Sequence, residues 1–218
     1  MLSIQKKFLF IHVHKTGGHS IQNILREYSE DTIECITDIH DGIERYSVKN
    51  NKYKTKKHTT LSEYKKVLEP YIFENIYKFA TIRNPWDKAI SFYFSPHRRV
   101  EEWNRDIFIK TLRQMPTLRS FIQYETRFLR TLRKFKLFIY SNDLDAHVDF
   151  IMRFEELESD FKKVCKQLEI KTTSLTNRNA SNHKHYSKYY DKEMIEMVRD
   201  KFSEEIEFGD YKFEIKKE

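Results

Sequence analysis

A short turn near the amino terminus contains the residue types that bind phosphate groups. It reads Lys15-Thr16-Gly17-Gly18-His19-Ser20 and follows an apolar stretch. Glycines let the chain turn tightly and let an anion approach the backbone. The first N–H groups of a following helix have no internal partner and carry the positive end of the helix dipole. With a lysine and two hydroxyls added, the turn predicts a phosphate site, and a plain strand-to-helix turn is the alternative.

The order of residues in this turn differs from two common nucleotide-binding motifs. In the G-x-x-x-x-G-K-[ST] loop the lysine follows the glycines. Here Lys15 precedes Gly17 and Gly18, and no glycine lies upstream. The sequence also lacks G-x-G-x-x-G. The turn is therefore P-loop-like in composition without matching the ATP or dinucleotide patterns.

A second candidate anion site lies in Arg83-Asn84-Pro85-Trp86-Asp87-Lys88-Ala89-Ile90-Ser91-Phe92-Tyr93. An arginine at the end of a strand can bind an oxyanion through two parallel hydrogen bonds. Ser91 lies a little over two helical turns beyond Arg83, so its hydroxyl is expected to reach the same anion. In the structural alternative, Arg83 pairs with Asp87 and Ser91 is merely buried.

Each turn is expected to connect a strand to a helix. Residues 7–13 are aromatic and β-branched, which predicts a strand. The apolar residues behind it keep helical spacing, at Ile21, Ile24, Leu25 and Tyr28. Residues 77–82 predict another strand, and Pro85 suits the first turn of a helix that ends near Phe94.

The remaining segments are predicted from their patterns in the same way. They are a strand at 32–39, a polar loop at 46–59, a helix at 61–68 with Thr60 or Ser62 as N-cap, a mostly helical basic stretch at 103–134, strands at 137–140 and 148–154, a helix from 155 to 168, a polar loop at 171–188 and a final helix at 191–206.

Alternating strands and helices predict an α/β fold, with one domain over residues 1–218. We expect a central, mostly parallel sheet flanked by helices, and a helical elaboration at about 96–135. Ligands bind at the carboxyl ends of the strands in such sheets, where both turns lie.

Composition and charge narrow the class of protein. The 218 residues include 17 Phe and 13 Tyr but only 4 Gly and 4 Pro, which excludes disordered and collagen-like chains. The net charge of +7 fits either an anionic partner or an ordinary basic surface. Cys35 and Cys165 form no disulfide framework and no C-x-x-C motif.

The sequence also predicts where the protein resides. No apolar run approaches the roughly 20 residues of a membrane span. The stretch behind Lys6 and Lys7 is too short and too polar for a signal peptide. We therefore expect a cytoplasmic protein without a membrane segment, whose fold starts almost at Met1.

Together the two motifs resemble those of the sulfotransferases that use 3′-phosphoadenosine-5′-phosphosulfate. Residues 10–20 resemble the 5′-phosphosulfate loop of that family, which reads close to F-I-H-x-P-K-T-G-G-T-S, and residues 79–93 resemble its 3′-phosphate motif, R-N-P-x-D-R-x-x-S-x-Y. Weaker landmarks are matched by residues 151–157 and by 189–191 with the closing helix. The pieces span nearly the whole chain in family order, and the carbohydrate sulfotransferase branch, as a small bacterial-type member, is most similar.

The sequence departs from the family pattern at three positions. His14 stands where Pro is usual, and His19 stands where Thr or Ser is usual. Lys88 replaces the usual Arg, which keeps the charge but loses the planar fork.

The resemblance implies transfer of a sulfuryl group to an acceptor hydroxyl, or less readily an amine, with 3′-phosphoadenosine-5′-phosphate as the product and no metal. It implies that Lys15 contacts the bridging oxygen of the leaving phosphate. The 5′-phosphate would be held by Thr16, Gly17, Gly18, His19 and Ser20. Arg83 and Ser91 would hold the 3′-phosphate. A late basic loop at 177–188 would add Lys184 and the backbone near Ser181.

The reaction needs a base for the acceptor proton, and histidine suits neutral pH. His58 is the first candidate, because residues 57–64 resemble the place where some glycan O-sulfotransferases carry their histidine base. His40, His12 and His14 are rivals. His12 and His14 alternate on the predicted strand and point the same way, but no carboxylate or cysteine lies nearby to complete a metal site.

Two other functions stay open. A P-loop-like nucleotide kinase would need a Walker-type order and a Mg²⁺-binding Asp after a strand, and neither is clear. A basic nucleic-acid-binding protein is supported by the Arg-, Lys- and aromatic-rich stretch 98–136, without a recognised motif. We expect no nucleic-acid partner. The expected acceptor is a carbohydrate or glycoconjugate, or another small or lipid-linked molecule, and the basic middle region favours an anionic glycan.

Overall fold

The computed structural model describes residues 1–36, 45–124, 147–171, 174–175 and 183–216. The elements in chain order are β1 (Leu2–Ser3), β2 (Phe8–Ile11), α1 (Gly18–Leu25), β3 (Thr32–Cys35), β4 (Tyr46–Asn50), β5 (Thr55–Lys56), α2 (Leu61–Val67), α3 (Pro70–Asn75), β6 (Tyr77–Ile82), α4 (Pro85–Tyr93), α5 (Arg105–Gln114), α6 (Leu118–Ile122), β7 (Phe150–Arg153), α7 (Leu157–Gln167), α8 (Lys192–Lys201) and α9 (Ser203–Gly209). Short 3₁₀ helices lie at Pro96–Arg98, Phe154–Glu156 and Tyr186–Lys188.

The central sheet has the strand order β1-β2-β6-β7. Strands β2, β6 and β7 are parallel, with Ile11 opposite Ala80 and Ala80 opposite Ile151. Strand β1 is antiparallel to β2 and was not predicted, because two residues are too few to show a pattern. The predicted α/β class with a mostly parallel sheet flanked by helices is confirmed.

Helices cover both faces of this sheet. Alternate residues of β2 point to opposite faces. Leu9 and Ile11 pack into one buried cluster with residues of α2 and α6. Phe8 and Phe10 pack into another with residues of α1 and α7. The four side chains of β2 are fully buried, which explains why this strand reads as a continuous apolar run.

A second, antiparallel sheet has the order β3-β4-β5. The prediction of a loop at 46–59 is wrong, because β4 and β5 lie within it. In β4 only Val48 and Asn50 are buried, so the lysine-rich composition hides the alternation. The amide of Asn50 donates to Asp31 Oδ1 at 2.9 Å, and Asp31 Oδ2 accepts from the Leu2 amide, which fixes this sheet beside β1.

The helix starts follow local sequence signals. Thr60 caps α2 in a capping box with Glu63, as one of the two predicted caps. Asn84 caps α4, and Pro85 occupies its first turn as predicted. The predicted final helix is split into α8 and α9 at Phe202.

Part of what the sequence predicts lies outside the described residues. This applies to His40, to the strand at 137–140, to the elaboration beyond residue 124, and to Ser181. Among the described helices, none has the length and apolar character that crossing a membrane would require.

Candidate active site

A cleft of about 660 Å³ opens at the carboxyl ends of β2, β6 and β7. This volume lies in the range typical of ligand-binding sites. Both turns singled out in the sequence line it, and so does a third segment, Phe154–Glu158, which follows β7. The parallel sheet therefore brings three strand ends to one site, as the fold class predicts.

The first turn needs its glycines for close packing. Gly17 has a φ of +78°, and a Cβ there would lie 2.6 Å from Leu157 Cδ2. A Cβ on Gly18 would lie 2.1 Å from Nε2 of the buried His12. Lys15 also has a positive φ, of 62°, which is uncommon for a residue with a side chain. The backbone thus curls tightly before α1 begins at Gly18, and the Ser20 amide donates back to the Gly17 carbonyl at 3.1 Å.

The structure does not bring every residue of this turn to the cleft. Lys15, Gly17, Gly18, His19 and Ser20 line it. Thr16, by contrast, is buried, and its hydroxyl donates to the Val13 carbonyl at 3.0 Å. The hydroxyl of Thr16 thus closes the turn, and the structure does not bring it to the cleft.

The second turn is tied to the first through Arg83. Its Nη1 donates to the backbone carbonyl of Lys15 at 2.9 Å and to Ser91 Oγ at 3.2 Å. Its Nε and Nη2 lie 2.8 and 2.6 Å from Asp87 Oδ2, and its guanidinium lies over the Phe154 ring at 4.0 Å. Arg83 and Ser91 therefore lie together, as binding of one anion by both would require. The guanidinium also pairs with Asp87 and Ser91 is buried, as the structural alternative describes.

Two lysines give the cleft positive charge. Burial, together with nearby Arg83, lowers the pKa of Lys15 to about 8. Burial lowers the pKa of Lys57 to about 8 as well. No carboxylate within the described ranges forms an ion pair with either ammonium group. A site of this kind stabilises a bound anion, because the anion supplies the missing counter-charge.

Lys57 determines which ring nitrogen carries the proton in His19, one of the residues predicted to bind phosphate. Its Nζ lies 2.8 Å from His19 Nε2. Since an ammonium group can only donate, Nε2 accepts and the proton of His19 resides on Nδ1. Burial and the neighbouring Lys57 lower the pKa of His19 to about 3, so the ring is neutral at pH 7.

His58 has the protonation state of a general base. Its Nδ1 lies 2.8 Å from the His12 carbonyl oxygen. A carbonyl can only accept, so Nδ1 carries the proton and Nε2 is left free to take one. Burial lowers the pKa of His58, which keeps the ring neutral at pH 7. The rival candidates His12 and His14 also line the cleft, and both rings contact the His58 ring.

No set of three or more His, Cys, Asp or Glu side chains is grouped to hold a metal ion within the described part of the chain.

The late loop meets the cleft at a different residue from the one predicted. Lys184 is exposed and does not line the cleft, whereas its neighbour His183 does. Sequence reasoning also missed Lys57, His97, Arg98 and the segment after β7. Lys57 could have been found as the basic neighbour of His58. The segment after β7 could have been found by applying the strand-end rule to the third parallel strand.

Comparison with known proteins assigns the family. A model of the sulfotransferase family matches residues 1–212, and the chain belongs to that family. This confirms the family resemblance of the two motifs and makes sulfuryl transfer the class of reaction. A solved structure of mouse sulfotransferase SULT7A1 complexed with PAP is similar, with 13% identity and a TM-score of 0.49 over 96% of this chain and 87% of that chain. None of the curated proteins matches the sequence significantly.

Proposed function

We propose that the protein transfers a sulfuryl group from 3′-phosphoadenosine-5′-phosphosulfate to a hydroxyl group of a carbohydrate or glycoconjugate. The observation that supports this proposal most strongly is that one cleft joins two strand-to-helix turns suited to binding phosphate. Arg83 links them directly through the Lys15 carbonyl. Two such turns in one cleft suit a nucleotide whose two phosphate groups lie on opposite sides of a ribose.

The residues of the first turn would hold the 5′-phosphate and the bridging oxygen. The Gly18 and His19 amides at the start of α1 and the hydroxyl of Ser20 would supply donors, while the Ser20 amide is bonded to the Gly17 carbonyl. Lys15 supplies charge at the oxygen on which negative charge develops when the sulfur–oxygen bond breaks. Lys15 is half-buried and forms no ion pair with a carboxylate of the described residues, which supports this role, because a cation stabilises the charge more in a partly desolvated cleft than in water.

The second turn would hold the 3′-phosphate. Asp87, the Lys15 carbonyl and Ser91 occupy four of the five N–H groups of Arg83, so the phosphate would bind to the one hydrogen left on Nη2 and to Ser91. Asp87 and the Phe154 ring fix the plane of the guanidinium. A guanidinium held in this way loses little conformational entropy when the anion binds.

His58 would act as the base. The acceptor oxygen forms a bond to sulfur, the bond from sulfur to the phosphate oxygen breaks, and the acceptor proton passes to His58 Nε2. The hydrogen bond from Nδ1 to the His12 carbonyl stabilises the imidazolium that results. Lys57, beside His58, adds positive charge where the sulfuryl oxygens would lie.

A thermal-shift comparison tests the proposal. We expect 3′-phosphoadenosine-5′-phosphate to raise the melting temperature strongly, and ATP–Mg²⁺ and duplex DNA to have little effect. Lys15→Ala should reduce the shift, whereas Lys110→Ala, on the exposed side of α5, should retain it. Stabilisation by ATP–Mg²⁺ or DNA alone would favour the kinase or nucleic-acid alternative and contradict the proposal.

A further inference from the structure

We propose that His14 is a positioning residue that holds the ring of His58 in the orientation needed to accept the acceptor's proton. The inference rests on the proposed function, because it assigns His14 a part in the same site. Neither of the two proposed phosphate sites gives His14 a role.

The geometry of the two rings carries the proposal. The His14 and His58 rings are stacked, with centroids 3.9 Å apart and planes inclined by 17°. The hydrogen bond from His58 Nδ1 to the His12 carbonyl directs one edge of the ring, but it leaves the ring free to tilt about that bond. The His12 ring restricts this tilt from 4.9 Å, and the stacked face of His14 restricts it more closely, from 3.9 Å. The two constraints together fix the direction of Nε2.

His14 is itself held in place by aromatic neighbours. Its ring centroid lies 5.5 Å from that of Phe121 and 6.1 Å from that of Phe92. Phe121 belongs to α6 and Phe92 to α4, so two helices support the ring. His14 Nδ1 is buried without a hydrogen-bond partner among the described residues. The ring therefore acts on His58 through its face and not through a proton relay at Nδ1.

A neutral ring is required for this contact, since two stacked cations would repel each other. Burial and the neighbouring cationic groups lower the pKa of His14 to about 4, so it stays neutral while His58 gains a proton. The charged groups that lower the pKa of His14 are His58, Lys57, Lys88 and Lys15. The bond to the His12 backbone raises the pKa of His58, and Lys57 and the amino group of Met1 lower it. A neutral aromatic face can also stack on an imidazolium.

Nitrogen-15 NMR of the histidine side chains tests the contact without relying on activity. In the wild-type protein His58 should be protonated on Nδ1, and in His14→Phe this should be retained. In His14→Ala the His58 ring keeps its Nδ1 bond and its contact with the His12 ring but loses the stacked face, so we expect some of the neutral form that is protonated on Nε2 to appear. The pKa of His58 should also rise toward 6.5 in His14→Ala, because water reaches the ring face that His14 covered. If His14→Ala changes neither quantity, the proposal is wrong.

Kinetics test whether the contact matters for turnover. We expect His14→Ala to lower kcat by about tenfold, a part of the 10²–10⁴-fold effect of a general base. The acceptor KM and the thermal shift by 3′-phosphoadenosine-5′-phosphate should stay unchanged, and His14→Phe should stay within about threefold of wild type. His147→Ala, a histidine outside the cleft, is the matched control.

A double substitution separates positioning from a general structural effect. If His14 acts through His58, adding His14→Ala to His58→Ala should lower kcat no further. An additional tenfold loss would contradict the proposal. Absence of both nucleotide binding and sulfuryl transfer in the wild-type protein would instead contradict the proposed function, and the NMR result would still decide whether His14 holds His58.

Discussion

Lys57 should destabilise the protein in the absence of a bound anion, and its removal should therefore raise stability. Its pKa falls from the usual 10.5 to about 8 because the ammonium group is buried. At about 1.4 kcal/mol per pH unit, this corresponds to about 3 kcal/mol against the charged form. Lys57→Met removes that penalty and also the hydrogen bond to His19, worth about 1 kcal/mol. The expected net gain at pH 7 is about 2 kcal/mol.

Thermal unfolding at two pH values is the assay for Lys57→Met. A gain of about 2 kcal/mol corresponds to a rise in Tm of roughly 4–8 °C for a chain of this size. The penalty is complete below pH 8 and disappears above pH 10.5, where the lysine is neutral in both states. We therefore expect the gain at pH 7 and none near pH 11. The exposed neighbour Lys56→Met is the control. An unchanged or lower Tm for Lys57→Met at pH 7 would refute the reasoning.

Three further predictions concern stability. Gly18→Ala should lower the free energy of unfolding by about 1–3 kcal/mol in a urea titration, since the new Cβ meets the buried His12 ring; an unchanged midpoint would contradict the packing described. Lys88→Met should lower the free energy of unfolding by about 3–5 kcal/mol, because the buried carboxylate of Glu205 loses the ammonium group that lies 2.9 Å from it. Adding Glu205→Gln should restore part of this loss in the same titration. The free energy of unfolding should fall as pH drops from 6.5 toward 4, because the unfolded chain protonates His14 in this range and the folded chain does not. His14→Phe should make this pH dependence shallower. An identical slope would contradict the lowered pKa of His14.

The positions of the two turns could be predicted because local signals coincide there. The strand at Tyr77–Ile82 has the predicted bounds, since its residues are mostly aromatic or aliphatic and Pro85 marks the next helix. The first turn contains Gly17 and Gly18, two of the four glycines in the chain. Strand-end turns in an α/β fold converge on one edge, so their meeting in one cleft also followed from the class of fold.

The partners of the site residues could not be predicted, because they depend on distant parts of the chain. Arg83 finds Asp87 four residues on, in the first turn of α4, and this local pairing was the stated alternative, but it finds the Lys15 carbonyl 68 residues away. The stack of His14 on His58 and the bond from Lys57 to His19 likewise join segments far apart in sequence. Composition favoured a loop at 46–59, where two short strands form through pairing that no local pattern indicates.

The two-phosphate site is tested most directly by a calorimetric comparison of 3′-phosphoadenosine-5′-phosphate with adenosine 5′-phosphate. The two ligands differ only in the 3′-phosphate, which the account assigns to Arg83 and Ser91. A hydrogen-bonded charge of this kind contributes about 1.5–3 kcal/mol, and each 1.4 kcal/mol is tenfold in affinity. We predict that the ligand with the 3′-phosphate binds at least tenfold more tightly, and that Arg83→Met removes the difference. Equal affinity of the two ligands for the wild-type protein would contradict the account.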